Sequence, residues 1–268
     1  MDNQSLRLNK FLAERLGVSR READELISVG KITVNGEKAV LGVRIDKKSK
    51  VCYNNKIVPF DTEFSYFAFN KPVGYVCSRR AQGQAPTIYT LLPEKFQKLK
   101  TVGRLDKDSS GLILLTNDGD FAFQMTHPKF RKTKTYQVEL DKPLEPLHRQ
   151  MISDFGVMLD DGPSRFKIIK DVFPEANKTS FEGDPEPGKA RSSATTPVST
   201  GVVDAPRKRS FLAKAKNAYT VILTEGRNRQ IRRTFAALGY KVTKLHRISF
   251  GKYELNDLKP GKYVIIEP

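Results

Sequence analysis

Leu112 to Leu115 is an unbroken apolar run, and it constrains the fold more than any other stretch of this chain. Four apolar residues without a polar break read as a strand buried on both faces. The chain has 268 residues, enough for one large domain, or a large and a small one, each with a real core. Asn117, Asp118 and Gly119 supply the turn chemistry that closes the run. Just before it lies a polar loop, Gly103-Arg104-Leu105-Asp106, followed by Lys107 to Ser110. A base and an acid two residues apart at the mouth of a buried strand is a common way to present catalytic groups on a rigid frame. A plain surface turn with an Arg–Asp pair would look the same from this stretch alone.

The whole stretch, GRLDKDSSGLILLTNDG, resembles the central signature of the pseudouridine synthases. The resemblance is to the branch that modifies ribosomal RNA and carries an S4-like domain in front. The rest of the chain tests it.

Composition narrows the partner. The formal net charge is +17, and a protein this basic is expected to meet a polyanion, with nucleic acid the default. Hydrophobic residues make up 38%, which favours a globular fold over disorder. Cys52 and Cys77 are the only cysteines, so no disulfide framework is expected and a reducing compartment fits. No apolar run approaches the roughly 20 residues of a membrane span. The start, MDNQSLRLNK, holds no apolar stretch of signal-peptide length. A cytoplasmic protein is expected.

Residues 1–64 read as a small basic module. Leu8, Phe11, Leu12 and Leu16 recur at helical spacing, and Gly17 follows. Ser19 with Glu22 three positions later is a capping box that starts a second helix. Ala23, Leu26 and Ile27 form its apolar face, and Gly30 ends it. KITVNGEKAVLGVRI alternates and turns at Asn35-Gly36, a strong hairpin signal. The exposed edge is expected to carry Arg7, Lys10, Arg15, Arg20, Arg21 and Lys31. RLNKFLAERLGVSRREADELISVGKITVNG is similar to the S4 RNA-binding domain nearly throughout, which implies that these cations contact RNA. Arg20 and Arg21 at a helix N-terminus suit phosphate by charge and dipole together.

Residues 65–268 read as a second, larger domain. Phe64 to Phe69 alternates as a strand and runs into Asn70-Lys71-Pro72-Val73-Gly74, where proline and glycine force a turn. Lys71 there is a candidate RNA contact. Lys132 to Leu140 alternates as another strand and holds Tyr136. Leu144 to Phe155 reads as a helix. From 174 to 213 the composition shifts to Pro, Ser, Thr and Gly and periodicity disappears, so a disordered insertion is expected. Its ends, near Phe173 and Ala218, should lie close in space. Gly183 to Lys189 has P-loop spacing, but no strand precedes it, no helix follows, and Ala190 replaces the metal-binding hydroxyl.

Ala218 to Leu223 is a strand, and Asn228 to Leu238 a helix closed by Gly239. At about 100° per residue, Ile231, Phe235 and Leu238 share the core side. Arg229 and Arg233 fall opposite, as solvent-facing RNA contacts, and Arg232 falls on the flank, placed to enter a cleft. Lys214 to Lys252 holds ten basic residues and one acid, Glu225, a density that argues for a nucleic-acid groove.

NKPVGYVCS, KTYQV and EGRNRQIRRTFAALGYKVTKLHR resemble further signatures of the same synthases, in family order. The resemblance covers nearly the whole chain outside 174–213. It implies an α+β fold, a small S4-like α/β module followed by a mixed, mainly antiparallel sheet. It implies a monomer that isomerises a uridine of ribosomal RNA, free or in a ribosome-assembly intermediate, with no membrane partner. No cofactor is implied, because the rearrangement involves no redox change and no phosphoryl transfer. His127, His148 and His246 are scattered, and no metal site is expected. By the resemblance, Asp106 is the nucleophile or general base. Arg232 pairs with it, a nearby cation favouring the charged carboxylate. Tyr136 stacks on the uracil. Arg104 supports the displaced nucleotide, since a base must leave its stack to reach a pocket. Leu105 is packing.

Two rivals remain at this point. A non-catalytic S4-type RNA-binding or ribosome-associated factor would keep the cations but need no GRLD loop. An RNA N-glycosidase would want a second carboxylate, and only Asp108 is near in sequence. The DDGP and TEGRNRQIRR segments lean toward large-subunit enzymes, NKPVGYVCS and LHRISFG toward the small-subunit one. Large-subunit RNA is the favoured substrate.

Overall fold

A computed structural model describes residues 5–61, 63–79, 83–170 and 217–268. The expected insertion at 174–213, and Phe173 before it, lie outside the described residues.

The N-terminal part folds as its local signals dictate. Helices α1 (Leu8–Arg15) and α2 (Arg20–Ser28) follow each other closely. The Ser19 hydroxyl accepts from the Glu22 amide at 3.1 Å, and the Glu22 carboxylate accepts from the Ser19 amide at 2.7 Å. That capping box satisfies two of the donors a helix start leaves open. Strands β1 (Ile32–Val34) and β2 (Glu37–Lys38) pair across Asn35-Gly36. Both turn residues have positive φ, 54° and 95°, as a two-residue primed turn requires. Strand β3 (Val51–Tyr53) pairs with the other edge of β1. Leu8, Phe11, Leu12, Ala23, Ile27 and Ile32 pack into a core of their own.

Two of the expected RNA contacts turn inward here. Arg15 lies against the Phe11 ring at 5.4 Å and donates to the Phe60 carbonyl. Lys10 makes an ion pair with Asp120 of the larger part at 2.6 Å. Arg15 is thus engaged within the N-terminal part, while Lys10 reaches across to an exposed carboxylate of the larger part. Lys100 donates to the Ala13 carbonyl at 3.3 Å and Arg79 to the Gly17 carbonyl at 2.7 Å along the same junction. Arg7, Arg20, Arg21 and Lys31 are exposed, as expected.

The larger part is organised by a nine-stranded sheet. Its principal strands are β4 (Tyr66–Lys71), β5 (Ser110–Thr116), β6 (Lys134–Leu140), β7 (Lys167–Lys170), β8 (Ala218–Leu223), β9 (Val242–Phe250) and β10 (Tyr263–Ile265). They run in the order β7-β8-β6-β9-β5-β4-β10, with Lys100–Val102 also pairing β5 and Tyr253–Glu254 also pairing β9. Every pairing in it is antiparallel except β9 with β5. The fold is α+β with a mixed, mainly antiparallel sheet.

Leu112 to Leu115 lies in β5, and none of the four is more than 1% exposed. Leu112 and Leu114 join Val102 and Phe121 on one face, and Ile113 and Leu115 join Phe67 and Phe69 on the other. The two-sided burial read from the run is what the sheet provides. Helix α3 (Gly119–Thr126) follows β5 directly, capped by the Asp118 carboxylate. The helix expected over 144–155 is a short α4 (Pro146–Gln150) that continues as a π-helical turn over Met151–Phe155. Lys170 of β7 stands opposite Tyr219 of β8, so the chain leaves and re-enters the sheet at one end of a strand pair.

The parallel seam is short: His246 lies opposite Ser110 and Arg247 opposite Gly111. A Cβ on Gly111 would lie 2.2 Å from the Arg247 carbonyl oxygen, and the residue has φ 105°. Only glycine lets the two backbones approach this closely.

Candidate active site

The loop between Val102 and β5 is clamped from below. The Leu105 amide donates to Cys77 Sγ at 3.4 Å, and Gly74 donates to the Lys107 carbonyl at 2.8 Å. Lys71 Nζ donates to the carbonyls of Ser109 at 2.5 Å and Pro72 at 3.0 Å. Lys71 is therefore no surface contact for RNA. Asn70 and Lys71 end β4 as buried residues, and the turn begins only at Pro72. Burial pulls the Lys71 ammonium down to about 8, with Cys77 and then Asp106 acting in the opposite sense. Burial likewise raises the Cys77 thiol. Leu105 is in the core, as expected.

This clamp presents Asp106 at a cavity of about 200 Å³. That is roughly seven waters' worth of space, enough for a pyrimidine base. Asp106, Arg104, Tyr136, Arg229, Leu245 and Arg247 are among its lining residues. Tyr136 comes from β6 and is 8% exposed. Arg104 is exposed on the lining.

The cation beside Asp106 is not the expected one. Arg229 Nη1 lies 3.7 Å from the Asp106 carboxylate and 3.3 Å from that of Asp108. Arg232 instead donates to the Val242 and Asp108 carbonyls, both at 2.9 Å. Helix α5 spans Gln230–Ala237, and Arg229 precedes it in a left-handed conformation with φ 46°. The helical projection that sent Arg229 to solvent does not apply to a residue outside the helix. Arg232 stands behind the loop rather than on the cavity lining, and there burial, then Arg229, pull its guanidinium below the usual arginine range. Arg233 pairs with Asp161 at 2.7 Å, joined there by Arg227 at 3.0 Å. Together they tie the Asp161 turn to the start of α5, so Arg233 is engaged within the protein rather than held out for RNA.

One residue of the site escaped the sequence reading. Arg247 is 2% exposed and lines the cavity. Its Nε donates to the Leu112 carbonyl at 2.7 Å. Its guanidinium lies 4.9 Å from the Phe250 ring centre and 6.0 Å from that of Tyr136. Its Nη2 is buried without a hydrogen-bond partner among the described residues. A buried guanidinium with an open donor favours negative charge in the cavity beside it. Glu225 also lines the cavity, but Gln230 and Arg227 hold its carboxylate.

Comparison with known proteins now decides the family. The model of the RNA pseudouridylate synthase family matches residues 65–237, and that of the S4 domain matches residues 6–51. The chain belongs to the RNA pseudouridylate synthase family. Among similar relatives is the ribosomal small subunit pseudouridine synthase A of Pasteurella multocida, 34% identical over 96% of this chain and 94% of that protein. The ribosomal large subunit pseudouridine synthase B of Bacillus subtilis is 31% identical over 95% of this chain and 89% of that protein. A crystal structure of a pseudouridylate synthase superimposes with a TM-score of 0.59 at 29% identity, over 98% of this chain and 96% of that one. This pseudouridylate synthase therefore carries an S4 domain in front of its catalytic sheet. Among the described residues no helix is long and apolar enough to cross a membrane.

Proposed function

We propose that this synthase converts a uridine of ribosomal RNA to pseudouridine in the cytoplasm, acting as a monomer. The observation that carries the reading is Asp106, held at a pyrimidine-sized cavity between Arg229 and Tyr136. The reaction breaks the bond from N1 of uracil to C1′ of the ribose. The base turns, C5 bonds to C1′, the C5 proton leaves, and N1 takes up a proton. Substrate and product are isomers, so the balance needs no redox partner and no cofactor. Asp106 acts as nucleophile or base. Arg229 and Arg232 hold the loop that carries it, and Tyr136 stacks on the base. Arg247 faces the negative charge that any route places on the ring oxygens. Arg104 supports the strand from which the nucleotide has flipped. Arg7, Arg20, Arg21 and Lys31 grip RNA phosphates from the S4 domain.

Relatives named for both ribosomal subunits align over nearly the whole chain. The large subunit is proposed on the DDGP and TEGRNRQIRR segments. The test is tritium release from C5-labelled uridine in ribosomal RNA. Release without free uracil is the expected result. Free uracil would mean an N-glycosidase, and no release a binding factor. Mapping pseudouridines in cells lacking the protein assigns the subunit.

A further inference from the structure

The rim of the cavity carries a cluster that this reading leaves unused. Helix α3 ends at Thr126, and His127 leads into a tight turn over Pro128–Phe130. Thr126 and Pro128 both line the cavity. A methyl built on Gly103, at the start of the Asp106 loop, would lie 3.6 Å from Thr126 Cγ2. On this same turn three rings meet. Ring centres are 4.6 Å apart for Phe123 and His127, 5.8 Å for Phe123 and Phe130, and 6.4 Å for His127 and Phe130. Phe123 is 47% exposed and Phe130 38%. Single exposed apolar residues are ordinary, but a contiguous aromatic patch marks a binding surface. The patch is fixed in shape: the Phe130 amide donates to the His127 carbonyl at 3.1 Å, and the Lys129 amide to His127 Nδ1 at 3.2 Å.

The surrounding charge says what the patch fits. Lys129 Nζ lies 5.4 Å from the Phe123 ring centre and 4.7 Å from that of Phe130. Arg131, Lys132 and Lys134 follow, and no acid lies between Asp120 and Glu139. Aromatic faces interleaved with cations match a base and its phosphate. An acidic protein partner would use the cations but has no need of the ring faces. The rings do not line the cavity themselves but stand beside it, next to Thr126 and Pro128, which do.

We propose that Phe123, His127 and Phe130 form a stacking platform for an unpaired RNA base next to the target nucleotide, with Lys129 meeting its phosphate. The proposal rests on the cavity being an RNA site. Its test reads binding rather than turnover, so either idea can fail alone. The probe is a labelled single-stranded oligouridylate, and beside it the same strand with abasic sites, measured on the full chain. The variants are the doubles Phe123→Ala/Phe130→Ala and Phe123→Leu/Phe130→Leu, exposed changes that leave the core intact. Both should lower affinity for oligouridylate by about tenfold. The unaltered protein should lose at least as much on the abasic strand, to which the variants should bind as it does. Lys129→Ala should flatten the salt dependence by about one unit of slope, while the ring variants leave it unchanged. If the leucine variant binds like the unaltered protein, the rings give only apolar area and stacking is wrong. Equal losses on both strands, or no loss on either, would also overturn the proposal, the second pointing to a protein partner or to none.

Discussion

The S4 domain and the catalytic sheet are both rich in cations, yet they use them in opposite ways. In the S4 domain Arg7, Arg20, Arg21 and Lys31 stand exposed. In the sheet Lys71 is 0% exposed and Arg247 is 2%. The exposed set acts through a screened field that salt weakens. The buried set acts at contact range, Lys71 on loop carbonyls and Arg247 on a strand carbonyl and two rings. A net charge of +17 therefore overstates the RNA-binding surface, because part of it is spent inside the fold.

The largest test of this contrast is at Asp106, on the loop whose far end buried Lys71 holds. Asp106→Asn keeps shape and hydrogen bonding but removes the charge. Turnover should fall by at least the ~10²–10⁴-fold typical of a lost acid–base group, with RNA affinity within a few-fold. Tritium release beside filter binding measures both, and retained turnover would remove Asp106 from the mechanism. Arg247→Leu should cost about a hundredfold in kcat, with KM little changed and Arg247→Lys recovering part of the loss. A change in KM alone would make Arg247 an ordinary RNA contact and erase the distinction between the two sets.

Lys71 gives a stability test. Its folded value, about 8, lies below the ordinary 10.5. Between those pH values the unfolded chain holds the proton and the folded chain does not, so stability should rise with pH across that window. The rise should reach up to about 3 kcal/mol, and it should vanish in Lys71→Met, as read from denaturant midpoints at each pH. A wild-type curve parallel to that of the variant would mean that Lys71 is not desolvated.

The smallest effect belongs to the exposed set. Arg20→Ala/Arg21→Ala should weaken RNA binding several-fold and flatten its salt dependence by about two units of slope. The kcat on saturating RNA should stay unchanged. A fall in kcat would show that the S4 domain takes part in more than the grip.

Much of the fold was written locally. Leu112–Leu115, the Ser19–Glu22 cap and the Asn35-Gly36 turn each depend on neighbours in sequence, and each formed as read. The GRLD loop was equally visible, and it does meet Tyr136 at one cavity. What could not be read depends on distant partners. Arg247 is held by Leu112, which no periodicity within VTKLHRISF announces. A usable signal was there: an arginine two residues after Leu245, on the core-facing side of a strand. Arg229 was misplaced because one left-handed residue moved the helix start to Gln230. Lys71 and Arg15 look like surface residues in the sequence because lysine and arginine usually are, and their partners lie far along the chain.

Gly111 has a consequence for how such a chain can vary. On one side of it lie β5 and the loop with Asp106, and on the other lie β9 with Arg247 and β6 with Tyr136. The separation of the two halves is set by the width of one hydrogen atom. Exposed arginines can be traded for lysines, moved along a helix or lost one at a time, each at small cost. Position 111 has an alphabet of one letter. Any replacement, even alanine, wedges the halves apart and spoils the site without touching a single group that does chemistry. Much of the surface can change at modest cost, while the spot that sets the spacing of the two halves has no side chain at all.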